Sequence, residues 1–455
     1  MQNRIARTGA ATITIDQVGK RRRPLVLISG KDVLGNVGGQ ESYVRAHALA
    51  AWEAGFDPHV FYLGPRSAVL SAAFGTVHTV AAPFGRRPPV AFHRALLARA
   101  VADFLAGEPG PHLIHSFAIW SGAGVAAARL LARRGVTAVP VASAFATRAY
   151  EVGAMQHALG AHHGLGHRAH YRGWLWWVRL VDHAIEGRGY ERSRLVLVNY
   201  ESVRRILTEA YGSGFEVRRV PYAPASAFGA GAAFGAGAAF GAGAAFGAGA
   251  ASRPGAAARP VPTRAHLDGL ASPQAPLVLA VSRHDPRKGL DVLLFALAEV
   301  AAAGIAFRAC LVGPGRLLGA HRRLSARLGL ADRVAITGRV EEVEPYLGMA
   351  DVFVLPSRAE ASGSVSVLEA LQTGTPVIAT DCDGIPEDLV DGVDALLFPA
   401  GDARALARAL SELLTVPARR AELAAGARRA YEEKFSAPGF VAALARTYAE
   451  LGFAP

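Results

Sequence analysis

The sequence predicts an α/β protein with parallel sheets, and three observations support that fold class. Residues 351–356 have the pattern of a buried strand, and a Ser- and Gly-bearing loop, an amphipathic helix and a second apolar strand at 376–380 follow. Strand, loop, helix and strand in this order form one parallel βαβ unit. The same alternation begins at residue 24. The chain has 455 residues, which is enough for more than one hydrophobic core.

The first domain is expected at residues 24–222, after a basic flexible tail at residues 1–23. Its strands are predicted at 24–30, 59–64, 112–117, 139–145 and 194–200. Gly38 and Gly39 follow the first strand and precede a helical pattern that includes Tyr43. Glycines allow the backbone to approach a ligand closely, and a helix start offers free amides. This turn is therefore a candidate ligand loop, with a plain turn as the alternative.

A low-complexity linker is predicted between the two domains, at residues 223–275. The hexapeptide FGAGAA recurs four times in tandem between residues 228 and 251. Phe, Gly and Ala alone do not build a core. We expect the deletion of residues 234–251 to leave turnover intact. A deletion variant that is folded but inactive would contradict this interpretation.

The second domain is expected at residues 276–434, and a C-terminal helix at 435–455 is expected to return to the first domain. The strand that begins at Leu277 leads into a loop that carries Arg283 and Lys288. A planar guanidinium and a compact ammonium between a strand and a helix suit a diphosphate. Two solvated surface charges are the alternative interpretation of this pair.

The strongest functional signal lies in residues 357–387. Gly363, Ser364 and Val365 precede or begin the predicted helix, where free amides and the helix dipole favour an anion. Glu369 lies about five residues into this helix, roughly 7–8 Å along its axis at 1.5 Å per residue. A diphosphate at the helix start would leave this carboxylate within reach of ribose hydroxyls. The stretch therefore predicts a nucleotide-sugar site.

Glu360, Gly363 and the run LEALQTGTPVIATDCDGIPE resemble the C-terminal signature of the family-4 retaining glycosyltransferases, which have the GT-B fold. The resemblance implies two Rossmann-like parallel α/β domains that face each other across a cleft, with the C-terminal helix crossing back. In this family two glutamates are usually separated by seven residues, the first near the donor sugar and the second near the ribose. Glu360 and Glu369 are separated by eight, which predicts a bulge in the loop.

The same resemblance implies roles for residues elsewhere in the chain. Arg283 and Lys288 match the family's RxxxxKG motif, whose cations neutralise the leaving nucleotide. His115 falls at the end of a strand and matches the histidine that the family directs at the donor sugar, with a buried core histidine as the alternative. Together with Glu360, these are the expected catalytic residues. The expected donor contacts are Gly38, Gly39, Val340, Gly363, Ser364, Val365 and Glu369, with Val340 in the loop that would read the base.

The implied activity is transfer of a sugar from a nucleoside diphosphate sugar to an acceptor with retention of configuration. No carboxylate is clearly placed as a nucleophile, so we expect front-face displacement, in which the leaving phosphate helps to deprotonate the acceptor. The acceptor is expected to be a sugar, a lipid-linked molecule or a small molecule. A GT-B nucleotide-sugar epimerase or a non-catalytic nucleotide-sugar binder is the alternative.

No cofactor is predicted, and metal independence is expected. Asp381 and Asp383 form a DxD sequence like the one that holds a divalent cation in GT-A glycosyltransferases. Here it follows a strand and precedes GIPE, which argues against that role. His162, His163 and His167 approach helical spacing, but the irregular, glycine-broken gaps around them disfavour a metal site.

Residues 157–183 also combine tryptophans with arginines. Trp174, Trp176 and Trp177 lie near Arg172 and Arg179. Two interpretations remain open at this point. The segment either presents amphipathic aromatic side chains to an acceptor or a membrane interface, or forms a helical arm that packs its tryptophans on its own domain.

Composition narrows the choice of partners. The formal net charge is +12, which suits phosphorylated donors, anionic membranes or nucleic acid. The arginines are scattered through helices without a recognisable nucleic-acid module, so only weak, non-specific nucleic-acid binding is expected. Two cysteines, no apolar run of transmembrane length and no signal-peptide pattern predict a cytoplasmic protein, either free or peripheral at the inner face of the membrane.

Overall fold

A computed structural model of the chain describes residues 22–30, 32–35, 39–82, 90–158, 165–228, 275–340 and 343–454. It contains two α/β domains with parallel sheets, which confirms the predicted fold class. Gly38, residues 1–21 of the predicted tail and residues 229–274 of the predicted linker lie outside the described residues. The predictions made for them stay predictions.

The first domain is built on one sheet, and its central strands are completely buried because helices cover both faces. The strands are β1 Pro24–Ile28, β2 Asp57–Gly64, β3 Ala68–Ala72, β4 Gly75–Ala81, β5 His112–Phe117, β6 Ala138–Ser143, β7 Leu195–Val198 and β8 Val217–Arg219. Their order is β3-β4-β2-β1-β5-β6-β7-β8. Neighbouring strands are parallel except β3, which forms an antiparallel hairpin with β4. The β/α alternation of the sequence does not predict this hairpin.

The first domain's helices are α1 Gly39–Glu53, α2 Val90–Leu105, α3 Ser121–Ala132, α4 Arg148–His157, α5 Leu165–Trp177, α6 His183–Glu191 and α7 Glu201–Tyr211. A π-helical turn, Val178–Asp182, joins α5 to α6, so these three elements form one continuous helical segment. Short 3₁₀ turns occur at Ala118–Trp120 and Ala225–Phe228.

The second domain contains a parallel sheet with strands β9 Leu277–Val281, β10 Arg308–Val312, β11 Val334–Gly338, β12 Val352–Leu355, β13 Val377–Thr380 and β14 Ala395–Phe398. Their order is β11-β10-β9-β12-β13-β14. The order reverses between β9 and β12, and in the first sheet it reverses between β1 and β5. Open α/β sheets bind ligands at such switch points, at the carboxyl ends of the strands. The loops after β9 and β12 are therefore the first place to look for a site.

The second domain's helices are α8 Leu290–Ala302, α9 Leu318–Arg327, α10 Glu344–Met349, α11 Val365–Thr373, α12 Ile385–Asp388, α13 Ala403–Thr415 and α14 Pro417–Lys434, followed by α15 Ala437–Glu450. A 3₁₀ turn, Pro286–Lys288, precedes α8. Among the described residues, none of the helices combines the length and apolar character that crossing a bilayer requires.

The last helix, α15, packs against the first domain. The ring of Tyr448 meets Phe56 edge-on at a centroid distance of 5.7 Å, and Phe440 meets His47 in the same way at 5.0 Å. Buried edge-to-face aromatic pairs of this kind stabilise packing beyond the area they bury. The chain therefore returns from the second domain to the first through α15.

Candidate functional site

A buried ion pair lies where the loops after β9 and β12 meet. The ammonium of Lys288 donates to Oε1 of Glu360, and the two side chains are only 12% and 5% exposed. The hydroxyl of Ser357 donates to the same oxygen at 2.5 Å. Burial, the largest influence, lowers the pKa of Lys288, while the Glu360 carboxylate opposes that shift. The structure thus brings together two of the predicted catalytic residues at the switch point of the second sheet.

Local backbone geometry fixes Lys288 in this position. The 3₁₀ turn Pro286–Lys288 ends at Gly289, whose φ of +59° belongs to the left-handed region. A Cβ added to Gly289 would lie 1.9 Å from the carbonyl oxygen of Pro356, so only glycine fits here. The loop after β9 can therefore lie directly against the end of β12.

A second ion pair ties the same two loops together. The two terminal nitrogens of Arg358, Nη1 and Nη2, donate to the two carboxylate oxygens of Asp291 at 2.7 and 2.8 Å. This paired geometry is the most directional contact that arginine makes with a carboxylate. Asp291 lies in the first turn of α8, so the start of α8 is held against the loop that carries Glu360.

Two arginines precede Lys288 in this loop, and they differ in how deeply they are buried. Arg283, the predicted one, is exposed, and its guanidinium lies 3.4 Å from Asp285. Arg287 is 6% exposed, and its Nε is buried without a hydrogen-bond partner among the described residues. Burial lowers the pKa of Arg287, but Glu151, Glu360 and nearby groups outweigh it and raise the pKa overall. Sequence reasoning missed Arg287, although it directly precedes Lys288.

The loop that follows Glu360 is held by Asp383. One oxygen of this carboxylate accepts the backbone N–H groups of Glu360 and Ala361, the latter at 3.0 Å. The same oxygen accepts the hydroxyl of Tyr150, from α4 of the first domain, at 2.6 Å. Ala361 and Asp383 both have left-handed φ angles, +29° and +51°, and strained backbone of this kind clusters at functional sites. The predicted bulge between Glu360 and Glu369 corresponds to this turn.

One carboxylate of the DxD sequence, that of Asp383, is already engaged in these hydrogen bonds. Asp383 holds the loop as described, and Asp381 is exposed. Within the described ranges, no three His, Cys, Asp or Glu side chains are grouped closely enough to hold a metal ion. His162 and His163 lie outside the described residues. The arrangement favours a structural role for Asp383, and metal independence stays a prediction.

The start of α11 lies directly behind the loop. Ser364 occupies the N-cap position but makes no side-chain cap, and its hydroxyl pairs with that of Ser366 at 3.0 Å. Gly363 has a φ of +67°, and a Cβ there would lie 2.5 Å from the Tyr200 hydroxyl oxygen. No side chain caps the start of α11, so its first amides, from Val365 onwards, are not bound by a capping side chain. Free amides at a helix start can bind an anion.

Glu369 lies one turn further along α11. It is half-buried, and its carboxylate has no hydrogen bond to any residue that the structure describes. Burial and, second, the charge of Glu344 raise its pKa from 4.5 to about 7. An unpaired carboxylate in a partly dry environment is suited to accept hydrogen bonds from a ligand, and perturbed groups of this kind are enriched at functional sites.

The first domain approaches the helix tip through α1. Gly39 begins α1, and a Cβ there would lie 3.9 Å from the Val365 side chain. The hydroxyl of Tyr43 donates to the carbonyl oxygen of Ser362 at 3.2 Å. Gly38, the other predicted glycine, lies outside the described residues. Gly39, the described residue of the predicted glycine pair, thus lies opposite the predicted helix tip.

His115, the predicted donor contact of the first domain, lies in the buried layer between the first sheet and α15. It is fully buried, its Nδ1 pairs with the Tyr448 hydroxyl at 2.7 Å, and its Nε2 pairs with the Ser143 hydroxyl at 2.7 Å. Burial holds the pKa of His115 well below its usual value, so the ring is neutral. Both nitrogens already have protein partners, and this favours the core-histidine interpretation over contact with a sugar.

Val340, the residue predicted to lie in the base-reading loop, is 9% exposed. Its neighbour Arg339 reaches across to the first domain and donates to the carbonyl oxygen of Gly35. The structure therefore places this loop at the domain interface, on the second domain's side of the cleft.

Glu387, the last residue of GIPE, has a structural role that the sequence did not predict. The two carboxylate oxygens of Glu387 accept the N–H groups of Glu201 and Ser202 at 2.8 Å each, and so cap α7 of the other domain. The adjacent Asp388 accepts the hydroxyl of Tyr200 at 2.7 Å. Burial raises the pKa of Asp388 to about 7. These contacts hold the two domains together on one side of the cleft.

An open cavity of about 470 Å³ lies between α5 and the second domain. Ala169, Gly173 and Trp174 line it on one side, and Arg316 lines it on the other. The guanidinium of Arg148 lies 5.4 Å from the ring centre of Trp174, close enough for a cation–π contact. Trp176 and Trp177, in contrast, are 65% and 49% exposed, so the interpretation that all three tryptophans pack on their own domain is wrong.

Part of the second domain and the overall fold are similar to known proteins. Residues 275–416 match the family model described as Glycosyl transferases group 1. A GDP-mannose-dependent alpha-(1-6)-phosphatidylinositol monomannoside mannosyltransferase of Mycolicibacterium smegmatis is 34% identical over 161 residues, which cover 34% of this chain and 42% of the relative. The lipopolysaccharide core biosynthesis glycosyltransferase LpsE of Rhizobium meliloti is 34% identical over 161 residues, 35% of this chain and 45% of the relative. The chain thus spans less than half the length of these relatives.

Solved structures match over almost the whole chain. Sucrose-phosphate synthase of Thermosynechococcus elongatus has a TM-score of 0.70 and 22% identity, covering 95% of this chain and 99% of that one. HepE of Anabaena, in complex with UDP and glucose, has a TM-score of 0.64 and 16% identity, covering 94% of this chain and 100% of its own. At these identities the likeness shows the fold of two facing domains.

Proposed function

We propose that this chain, whose residues 275–416 match the model of the group 1 glycosyl transferases, transfers a sugar from a nucleoside diphosphate sugar to an acceptor with retention of configuration. One observation carries the proposal. The buried Lys288–Glu360 pair joins the loops after β9 and β12, and the uncapped tip of α11 and the unpaired carboxylate of Glu369 follow Glu360 along the chain. That series matches the parts of such a donor: sugar, diphosphate and ribose.

The diphosphate would be held by cations and amides. Lys288 and the exposed side chain of Arg283 would supply positive charge, and the amides from Gly363 to Val365 would supply the helix tip. The buried Nε of Arg287, which has no partner among the described residues, is a third donor on the same loop. Fixed donors aimed at charge that develops on a leaving group are usually the largest single source of catalysis.

The transfer step balances without a protein nucleophile. The bond between the anomeric carbon and the phosphate oxygen breaks, and the electron pair leaves with the nucleoside diphosphate. The acceptor hydroxyl oxygen bonds to the same face of the anomeric carbon, and its proton passes to the departing phosphate. Glu360, fixed by Lys288 and Ser357, would position the sugar hydroxyls next to this oxocarbenium-like centre.

The acceptor would enter from the first domain. The cavity between α5 and Arg316 lies on that side, and Tyr150 of α4 contacts Asp383 beneath the Glu360 loop. We place the reaction in the cytoplasm, with the protein either free or peripheral at the inner face of the membrane. Relatives whose names refer to phosphatidylinositol mannosides and lipopolysaccharide core make a lipid-linked or saccharide acceptor the class to test first.

Donor screening is the most direct test. The names of similar proteins mention GDP-mannose, and the titles of similar structures mention UDP and UDP-glucose. We expect one class of nucleoside diphosphate sugar to raise the melting temperature of the protein, and Lys288→Met to remove that shift. EDTA should leave turnover unchanged; a loss of turnover that magnesium restores would overturn the expected metal independence.

Turnover separates the transferase from its alternative. Release of free nucleoside diphosphate should require an acceptor, be it saccharide, lipid-linked sugar or small molecule, and NMR of the product should show the anomeric configuration of the donor. Donor binding without release under any acceptor would support a non-catalytic binder. Release accompanied by an altered free sugar would support an epimerase.

A further inference from the structure

An exposed apolar face runs along the helical segment formed by α5, the π-helical turn and α6. Its inner side is packed, since Leu175, Val178 and Tyr190 are buried. On the outer side Trp176 is 65% exposed and Leu180 is 58% exposed. Isolated apolar residues on a surface need no explanation, but a contiguous group of large ones marks an interaction site.

The positions of these side chains fit one side of a helix. Positions 169, 173, 176, 177 and 180 follow the spacing i, i+4, i+7, i+8 and i+11. The π-helical turn, with its wider pitch, rotates the next residues so that positions 184 and 188 follow on the same side. We name the outer face by its members, which are all exposed: Ala169, Gly173, Trp176, Trp177, Leu180, Ala184 and Arg188.

Arginines border the outer face. Arg172 and Arg179 flank its aromatic part, and Arg188 and Arg192 continue from its far end; all four are exposed. None of the four has a carboxylate partner among the residues that the structure describes. Glu191 adds one negative charge beside them, so the border stays strongly positive. Unpaired arginines next to exposed indoles are typical of surfaces that meet anionic lipid.

A small cavity opens at the cationic end of the outer face. It measures about 190 Å³ and lies between α3 and α6. Four arginines line it: Arg94, Arg129, Arg188 and Arg192. Arg94 is buried, and its guanidinium donates to the carbonyl oxygens of Ile119 and Ile185, the latter at 3.3 Å. Burial lowers its pKa to about 10, so it remains a cation. The size and the donor set suit a phosphate group.

We propose that the outer face seats on an anionic phospholipid bilayer. Trp176, Trp177 and Leu180 would enter the headgroup region, and the arginines would contact lipid phosphates, one of them in the cavity beside Arg94. Indole rings favour this interface because one edge is polar while the body is apolar. The overall charge of +12 draws the protein towards the same surface.

The proposed surface adjoins the cavity that Arg316 lines. Ala169 and Gly173 belong to the outer face and also line the cavity opposite Arg316. A bilayer seated on the outer face would therefore lie beside the entrance through which an acceptor would reach the site. Membrane contact can be measured without donor or acceptor, so it stands or falls independently of the proposed transfer reaction.

Vesicle flotation of the full-length chain tests the proposal, with phosphatidylcholine vesicles that either contain or lack phosphatidylglycerol. We expect binding only to vesicles with phosphatidylglycerol, and weakening as salt rises. Arg188→Glu with Arg192→Glu should reduce binding at least about thirtyfold, because each arginine near an anionic surface contributes about fivefold. Trp176→Ser with Trp177→Ser should abolish binding even at low salt, and brominated acyl chains should quench tryptophan emission of the wild type.

The control variant is Arg404→Glu with Arg408→Glu on α13 of the second domain. These arginines are exposed and four residues apart, as Arg188 and Arg192 are, so the change in net charge is identical. Equal loss of binding in this variant would mean non-specific charge attraction and overturn the proposal. So would vesicle binding that survives the tryptophan substitutions, or a wild-type dimer in sedimentation velocity that those substitutions dissociate. Binding to single-stranded nucleic acid in preference to vesicles would also overturn it.

Discussion

The switch points of the two sheets face the same cleft but differ in kind. In the second domain, charged groups converge there: Lys288 meets Glu360, and Asp383 holds the adjoining loop. In the first domain, the contacts are a glycine, a tyrosine hydroxyl and backbone, and the strand-end histidine is turned into the core. Both domains contain a parallel sheet with a switch point, but the groups at the two switch points differ. In the proposed function, the second domain binds the phosphates and the first domain supplies the acceptor side.

The difference has a simple geometric cause. His115 lies within β5, two residues before its end, so its ring is directed at the face of the sheet that α15 covers. Lys288 lies beyond the end of β9, in a turn that Gly289 allows to press against Pro356. A side chain inside a strand faces the layer that covers the sheet, whereas a side chain in the loop after it faces the cleft.

The largest expected effect on turnover lies on the charged side of this comparison. Lys288→Met removes a fixed cation from the leaving group, and the loss of one such donor costs about a hundred- to a thousandfold in turnover. The same change leaves Glu360 buried without its partner, which by itself costs about 3–5 kcal/mol of stability. The double variant Lys288→Met, Glu360→Gln should therefore regain stability without regaining turnover. Near-normal turnover in either variant would remove Lys288 from the donor site.

Substitutions around His115 in the first domain should lower stability and leave turnover unchanged. Tyr448→Phe leaves Nδ1 of His115 buried without a partner, which costs about 1–3 kcal/mol. We expect the free energy of unfolding in urea to fall by that amount while turnover per folded molecule stays unchanged. Ser143→Ala, on the other nitrogen, serves as a matched variant and should behave alike. A loss of turnover without a loss of stability in both variants would restore His115 as a donor contact.

A smaller effect is expected where the two sides touch. Tyr150→Phe removes a first-domain hydroxyl from Asp383 and leaves the two backbone hydrogen bonds of that carboxylate in place. We expect turnover to fall about tenfold, the equivalent of one hydrogen bond to a charged group. Donor affinity, measured by calorimetry, should change less, because the phosphate contacts remain.

Tyr211→Phe is the matched control for this variant. Its hydroxyl donates to Glu186 at 2.7 Å, so it also loses one hydrogen bond to a carboxylate, but within the first domain. Turnover of the Tyr211 variant should stay at the wild-type level. If both variants lose turnover equally, the effect reports on general packing of α4 and α6 and not on contact across the cleft.

Sequence patterns predicted the second domain better than the first for a physical reason. Lys288, Gly363 and Glu369 lie in loops and a short helix that directly follow predicted strands in the chain. The βαβ periodicity therefore located them without further information. Arg283 and Arg287 show the limit, because both occur in the same loop, and only packing against Glu151 of the other domain reveals which one is buried.

Contacts between the domains could not be predicted from local sequence patterns. Tyr150 and Asp383 are separated by 233 positions, and His115 and Tyr448 by 333. A tyrosine on a helix has the same sequence signature whether its hydroxyl meets water or a distant carboxylate. Glu387 was visible as part of GIPE, yet its function as a cap for α7 depends on where the other domain lies. Such residues follow from the fold and not from spacing.

The smallest expected effect concerns the unpaired carboxylate on the charged side. The folded pKa of Glu369 is raised from 4.5 to about 7, so the folded protein binds this proton more tightly than the unfolded chain. Stability contributed in this way is complete below about pH 4.5 and is lost as the pH rises towards about 7. Glu369→Gln removes the dependence, so its melting temperature should fall less than that of the wild type between pH 5 and pH 8, as scanning calorimetry would measure. Asp388, raised to about 7 with the same sign, stays intact and accounts for the remaining slope. An unchanged slope in Glu369→Gln would mean that this carboxylate is already ionised at neutral pH, and that the second domain offers the ribose a fully charged acceptor before any ligand arrives.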